Sequence, residues 1–209
     1  MDSRTLADSR VALHGIAELV LAGPQYAATH DIRLRVTPGG FGTVVTPGLR
    51  IERLDLVTPT TRLPLGGTFV GLARAAGTQA RPLRDVYDVG PDVDPDGPVV
   101  VDPAAVDVVL AAFADGDAAL RAFAPTLEPV LWPEHFDLGV TVGAVNYGVS
   151  PGDAHLDEPY AYVGPPTPRS GSFWNTAFGA ARPLAELSDV GELVGFFEEG
   201  ARQARAPAP

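Results

Sequence analysis

Residues 131–163 read LWPEHFDLGVTVGAVNYGVSPGDAHLDEPYAYV. From His135 to Val142 the chain alternates. Phe136, Leu138, Val140 and Val142 fall on one side, and His135, Asp137, Gly139 and Thr141 on the other. A period of two marks a half-buried strand. Pro151-Gly152-Asp153 is a turn signal, and Tyr160 and Tyr162 share one face of the strand that Glu158-Pro159 opens. The stretch therefore predicts strands joined by turns, with Phe136, Leu138, Val140 and Val142 facing a core.

The same alternation opens the chain's first sheet segment. Ile32, Leu34 and Val36 face one way, and Asp31, Arg33, Arg35 and Thr37 the other. Pro38-Gly39-Gly40 turns the chain, Phe41–Val45 pairs back, and further strands are expected within Leu49–Val57 and Arg62–Leu65. Helical spacing covers residues 5–22, with Gly23-Pro24 as its stop. Thr68–Ala76 reads as a short helix capped by Thr68 and ended at Gly77. Asp102-Pro103 supplies an N-cap and a proline at the first helical position, and Gly116 is a point where the following helix could divide. A last helix starts at Ser188, with Val190, Leu193, Val194 and Phe197 on one stripe.

The order is helix, strands, helix, helix, strands, helix. It shows no regular βα alternation and no Gly-rich phosphate loop. This predicts an α+β fold of antiparallel sheet packed against helices. At 209 residues the chain reads as one domain, residues 1–209. Its halves would be 1–77 and 102–209, joined by a Pro-, Gly- and Asp-rich connection, 78–101.

Composition excludes several classes. There is no Cys, so disulfides, thiolate metal sites and cysteine nucleophiles are out. All fifteen cations are Arg and the net charge is −11. The lysine deficit fits a GC-rich bacterial coding bias. The acidity opposes binding to nucleic acid or to anionic membranes. The first residues lack the basic and apolar regions of a signal peptide, and no apolar run is long enough to span a bilayer. The sequence reads as a soluble cytoplasmic protein.

Candidate chemistry concentrates in 131–163. His135 and Asp137, two apart on a strand, can share a ligand or orient each other. Asp153 at a loop tip and Glu158 add carboxylates. The candidate catalytic set is His135, Asp137, Asp153 and Glu158. The candidate substrate-contact set is Trp132, Asn146, Tyr160 and Trp174. The same four groups, His135, Asp137, Asp153 and Glu158, have the donor atoms for a divalent metal. Each has a plainer reading: an exposed sheet face for His135 and Asp137, and a turn whose backbone Asp153 caps. Asp92, Asp94 and Asp96 copy the first half of a calcium loop, but Pro103 stands where its bidentate Glu belongs, so a solvated loop is expected. Nine Asp and no cation lie between Asp85 and Asp117, which reads as a solvated face. Arg33 and Arg35 could grip an anion or merely offset surplus acid. His14 reads as a half-buried structural histidine.

The segments Trp132-Pro133-x-His135-Phe136-Asp137, Asn146-Tyr147-Gly148-x-Ser150-Pro151-Gly152-Asp153 and Glu158-Pro159-Tyr160-x-Tyr162-Val163 together resemble a bacterial family curated as a domain of unknown function. Leu13-His14, Val36-Thr37-Pro38-x-Gly40 and Phe173-Trp174-Asn175-Thr176 extend the resemblance, although the family often has His where Asn175 stands. The resemblance supplies no activity. It implies that Trp132, His135, Asp137, Asn146, Asp153, Glu158 and Tyr160 belong to one shared pattern.

Two functional readings follow. In one, a pocket handles a small polar molecule, as an enzyme would, through His135 and nearby carboxylates. In the other, a non-catalytic interaction module uses the aromatic and Pro-rich stretch Tyr160–Trp174. Oligomeric state is not legible in the sequence.

Overall fold

The computed structural model describes residues 2–205. It is an α+β fold built on one antiparallel sheet of ten strands, in the order β10-β9-β8-β7-β6-β1-β2-β3-β4-β5. The first half supplies β1 (Leu34–Thr37), β2 (Gly40–Thr43), β3 (Arg50–Glu52), β4 (Asp55–Val57) and β5 (Arg62–Pro64). The second supplies β6 (Val130–Trp132), β7 (Asp137–Val142), β8 (Val145–Ser150), β9 (Tyr160–Gly164) and β10 (Ala180–Pro183). Each half is a meander, and the two join at β1 and β6, where Leu34 faces Leu131. The meanders thus run outward in opposite directions from a shared centre.

Helices cover one face. They are α1 (Ser3–Gly15), α2 (Gly23–Thr29), α3 (Phe69–Ala75), α4 (Pro103–Phe123) and α5 (Val190–Arg205). Leu34, Phe41, Ile51, Leu131, Leu138, Tyr147, Val149 and Val163 alternate toward them and are buried. Phe41 and Phe113 meet edge to face at 6.1 Å, and Tyr147 lies 4.7 Å from Phe123. Burial of rings this size dominates the core energetics. No helix among the described residues is long and apolar enough to cross a membrane.

The expected caps are present. Asp102 accepts the amides of Ala104 and Ala105, each at 3.0 Å, and Thr68 accepts that of Gly71 at 3.0 Å. Two expected helix breaks are not. Gly23-Pro24 does not end the first helix. A π-helical stretch, Ile16–Ala22, carries the chain from α1 into α2, and the Leu19 carbonyl oxygen, which an N–H at position 24 would meet at the π spacing, accepts the Arg81 amide instead. Gly23 is instead a close-approach residue, because a Cβ there would lie 2.0 Å from the Arg81 carbonyl oxygen. Likewise Gly116 does not divide α4. It lets the helix settle onto β8, since a Cβ would meet Val149 at 2.9 Å.

The connection 78–101 is pinned along its length. The Arg81 amide donates to the Leu19 carbonyl oxygen at 2.9 Å, and Val99 to Gly67 at 2.8 Å. Buried Glu18, inside the π-helical stretch, accepts the Leu83 amide and the Tyr87 hydroxyl, both at 3.0 Å. One carboxylate thereby fixes the segment that leads to Val89–Asp92. The strand β10 carries no alternation long enough to announce itself in the sequence.

Candidate functional site

β7 begins at Asp137, two residues later than the alternation suggests. Residues 133–136 form the β6–β7 turn, closed by the Phe136 amide donating to the Trp132 carbonyl oxygen at 2.8 Å. Phe136 adopts a left-handed backbone, φ 54°, unusual for a bulky side chain. The conformation sends its ring into the core, within 5.5 Å of Phe41 and 5.1 Å of Phe113. His135 stays outside on the turn, its side chain 57% exposed and 3.6 Å from Glu134.

Asp137, Asn146, Tyr160 and Tyr162 belong to the opposite alternation from the core residues. The register sets Gly139 opposite Gly148 and Gly148 opposite Tyr162. Those two glycines form a trough. The Tyr162 ring lies in it, since a Cβ on Gly148 would stand 2.5 Å from the ring and one on Gly139 3.0 Å from the hydroxyl. Tyr162 thus reaches from β9 across β8 to β7, where its hydroxyl donates to Asp137 Oδ2. Asp137 Oδ1 is buried without a hydrogen-bond partner. Burial pushes the Asp137 carboxyl above the ordinary range, against the Tyr162 hydrogen bond that pulls it down. Burial, helped by the Asp137 charge, also drives the Tyr162 phenol well up.

A second Tyr–Asp pair lies beside the first. Tyr160 donates to Asp153 Oδ2 at 2.5 Å, and the two tyrosine rings are 6.5 Å apart. Asp153 Oδ1 accepts the amides of His155 and Leu156 at 2.7 and 3.1 Å, the turn-capping role expected of it.

Two adjoining clefts share Glu134, His135, Asp137, Asn146 and Tyr162. The larger, about 710 Å³, is also bounded by Arg10 and His14 from α1, Val89–Asp92, Ser150, Asp153, Tyr160 and Phe178. The smaller, about 450 Å³, is walled by Trp132, Leu127, Glu128 and Thr141. These volumes suit a small organic ligand. His14 Nε2–H donates to the Pro133 carbonyl oxygen at 2.7 Å, and burial lowers its pKa to about 4. Arg10 donates to the Asp157 carbonyl oxygen at 3.2 Å. Gly152, at φ 103°, leaves room for that guanidinium.

The structure brings His135, Asp137, Asp153, Trp132, Asn146 and Tyr160 to these clefts, but Glu158 and Trp174 line neither. Trp174 packs edge-on against Phe173 at 4.9 Å, and Phe173 in turn lies on Phe196 of α5. The expected four-donor metal set is not assembled. Among the described residues no group of three or more His, Asp or Glu side chains is placed to hold an ion. The reason is local: Asp137 and Asp153 each take a tyrosine hydroxyl, and Glu158 lines neither cleft. The same finding covers Asp92, Asp94 and Asp96; Asp94 Oδ1 accepts the Asp96 amide at 3.0 Å as a turn residue does. Arg33 is clamped to its own neighbour Asp31 at 2.7 Å. Arg10, His14, Ser150 and Phe178 were not among the expected site residues. The signal in the sequence for His14 was the Leu13-His14 pair.

No family model, curated protein or solved structure matches the chain.

Proposed function

We propose that this chain binds a small polar molecule in the joined clefts and can exchange a proton with it through Asp137. One observation carries the reading: Asp137 lies where the two clefts meet, with one oxygen held by Tyr162 and the other buried and unpartnered. An acceptor left unpaired out of water costs about 1–3 kcal/mol, a cost that a ligand donor recovers. A carboxyl raised by burial is also the kind of group that moves protons near neutral pH. His135 at the rim is the second candidate for proton transfer, and Trp132 and Tyr160 contribute the aromatic walls. This reading needs no metal. The cytoplasm remains the proposed compartment. Membership of the bacterial family whose W-P-x-H-F-D and N-Y-G-x-S-P-G-D motifs the chain resembles is part of the proposal, since those motifs supply the cleft residues.

The interaction reading is the weaker one. Tyr160 is only 4% exposed and Trp174 packs on Phe173, so Tyr160–Trp174 offers no continuous aromatic patch. A fragment screen by protein-observed NMR tests the proposal. Fragments should perturb amides around Asp137, Asn146 and Tyr162, and Asp137→Asn should weaken their binding. Perturbations confined to other surfaces would reject it.

A further inference from the structure

We infer that the molecule this cleft takes is a small organic ammonium, its cationic end at Asp137 and its carbon frame against Tyr160, Tyr162 and Phe178. The inference rests on the binding reading above and adds the ligand's chemical class.

Charge decides the sign. The larger cleft carries four carboxylates, Asp92, Glu134, Asp137 and Asp153, against a single guanidinium, Arg10. Arg10 is turned to the Asp157 carbonyl oxygen. His14 is buried and already donates to Pro133, and His135 faces Glu134. An anion would therefore meet a surplus of negative charge, four carboxylates against one guanidinium. The unpartnered Asp137 Oδ1 independently asks for a donor. A neutral hydroxyl would bring one hydrogen bond, whereas an ammonium brings up to three donors and the missing charge.

Shape and lining agree. Tyr160, Tyr162 and Phe178 stand in a row, with Tyr160 at 6.5 Å from each of the other two rings. Aromatic rings beside a carboxylate favour a cation with an apolar body, because the ring faces attract the charge and cover the carbons. A metal ion is less well served, since the described residues assemble no set of three donors.

Three probes of nearly equal shape test this: n-butylammonium, n-butanol and n-butyrate. Each is titrated into the full chain at low ionic strength and followed by protein NMR. Butylammonium should bind at least about tenfold more tightly than the other two, and Asp137→Asn should remove about that factor. Tyr162→Phe, which keeps both ring and carboxylate, should retain the preference for the amine. If Asp137→Asn fails to fold, the ranking of the three probes on the wild-type chain decides alone. Equal binding of all three, or a preference for butanol or butyrate, would overturn the ammonium class while leaving the cleft as a binding site. No perturbation of cleft amides by any probe, nor by a general fragment set, would overturn both.

Discussion

The His14 ring lies flat against Phe136, with centroids 5.3 Å apart and planes 9° from parallel. The contact ties α1 to the turn that carries His135, across more than a hundred residues of sequence. It also puts a titratable ring in an apolar setting where protonation is costly. Burial lowers the His14 pKa from 6.5 to about 4, so the unfolded chain binds this proton more readily than the folded one. The stability His14 contributes is therefore full above pH 6.5 and is lost as pH falls toward 4. Denaturant unfolding at a series of pH values should show this acid-side loss, and His14→Phe should flatten it. A His14 ring resonance that titrates near 6.5 in the folded protein would contradict the assignment.

Asp137 has the opposite sign. Its carboxyl is raised by burial, so the folded state holds the proton longer than the unfolded chain does. Stability falls as pH rises from the ordinary carboxylate range through the folded value. Asp137→Asn keeps an acceptor for Tyr162 and removes the buried charge. The variant should be more stable at pH 7 by about 1 kcal/mol, a Tm rise of roughly 2–4 °C. It should lose ligand binding at the same time. Gain of stability with loss of binding separates a ligand site from a structural carboxylate, whose removal would only destabilise.

The glycine trough makes a steric prediction. A Cβ on Gly148 would stand 2.4 Å from the Leu138 carbonyl oxygen as well as against the Tyr162 ring. Side-chain movement alone cannot relieve a backbone clash. Gly148→Ala should cost about 1–3 kcal/mol in chemical denaturation. Gly139→Ala meets the Tyr162 hydroxyl at 3.0 Å and the Tyr147 carbonyl oxygen at 3.1 Å, both looser than the 2.4 Å clash at Gly148, and should be milder while still parting Tyr162 from Asp137. Tyrosine ultraviolet titration would register that parting as a phenol that ionises at lower pH than in the wild type.

Glu18 bears on the cleft through the connection that edges it. Its two oxygens hold Leu83 and Tyr87, and Val89–Asp92 beyond them edge the larger cleft. Glu18→Leu leaves both donors without partners and should cost about 1–3 kcal/mol. Hydrogen exchange should quicken at the Leu83 amide and leave α5 unchanged. Uniform acceleration across the chain would instead indicate a global loss of stability.

His135→Ala should leave stability within about 0.5 kcal/mol, because the side chain is exposed on a turn. Any effect on ligand affinity or on its pH profile then belongs to the site. An unfolded variant would assign His135 a structural role instead.

Much of the framework was legible. The strand periods hold over Leu34–Thr37 and Asp137–Val140, while Val142, expected in the core, is exposed; these periods, the Asp102 and Thr68 caps and the Leu193–Phe197 stripe are local signals, and local signals survive folding. The misread positions share a cause. Gly23 and Gly116 look like helix breakers, yet each serves an approach by a distant segment that no local pattern records. The left-handed Phe136 likewise holds back the start of β7 to Asp137, although the alternation begins at His135. The site was half legible. His135, Asp137 and Asp153 stood out by residue type, but the Tyr162–Asp137 pair depends on register, which sequence does not give. Arg10 and His14 arrive through tertiary packing of α1. Glu158 and Trp174 were drawn in by proximity in sequence, and the chain carries both away from the clefts.

The strand order also governs how this sheet can assemble. Of its nine neighbouring pairs, eight join strands consecutive in the chain, and only β1 with β6 does not. Every loop within a meander is far shorter than the connection from β5 to β6 and closes at less entropic cost, so each meander can zip from its own hairpins without waiting for the other. The single remote pairing, Leu34 with Leu131, then becomes the late and slow event. Substitutions at that seam should alter the folding rate more than changes at either outer edge, and an interrupted refolding experiment should find two half-sheets formed before they meet.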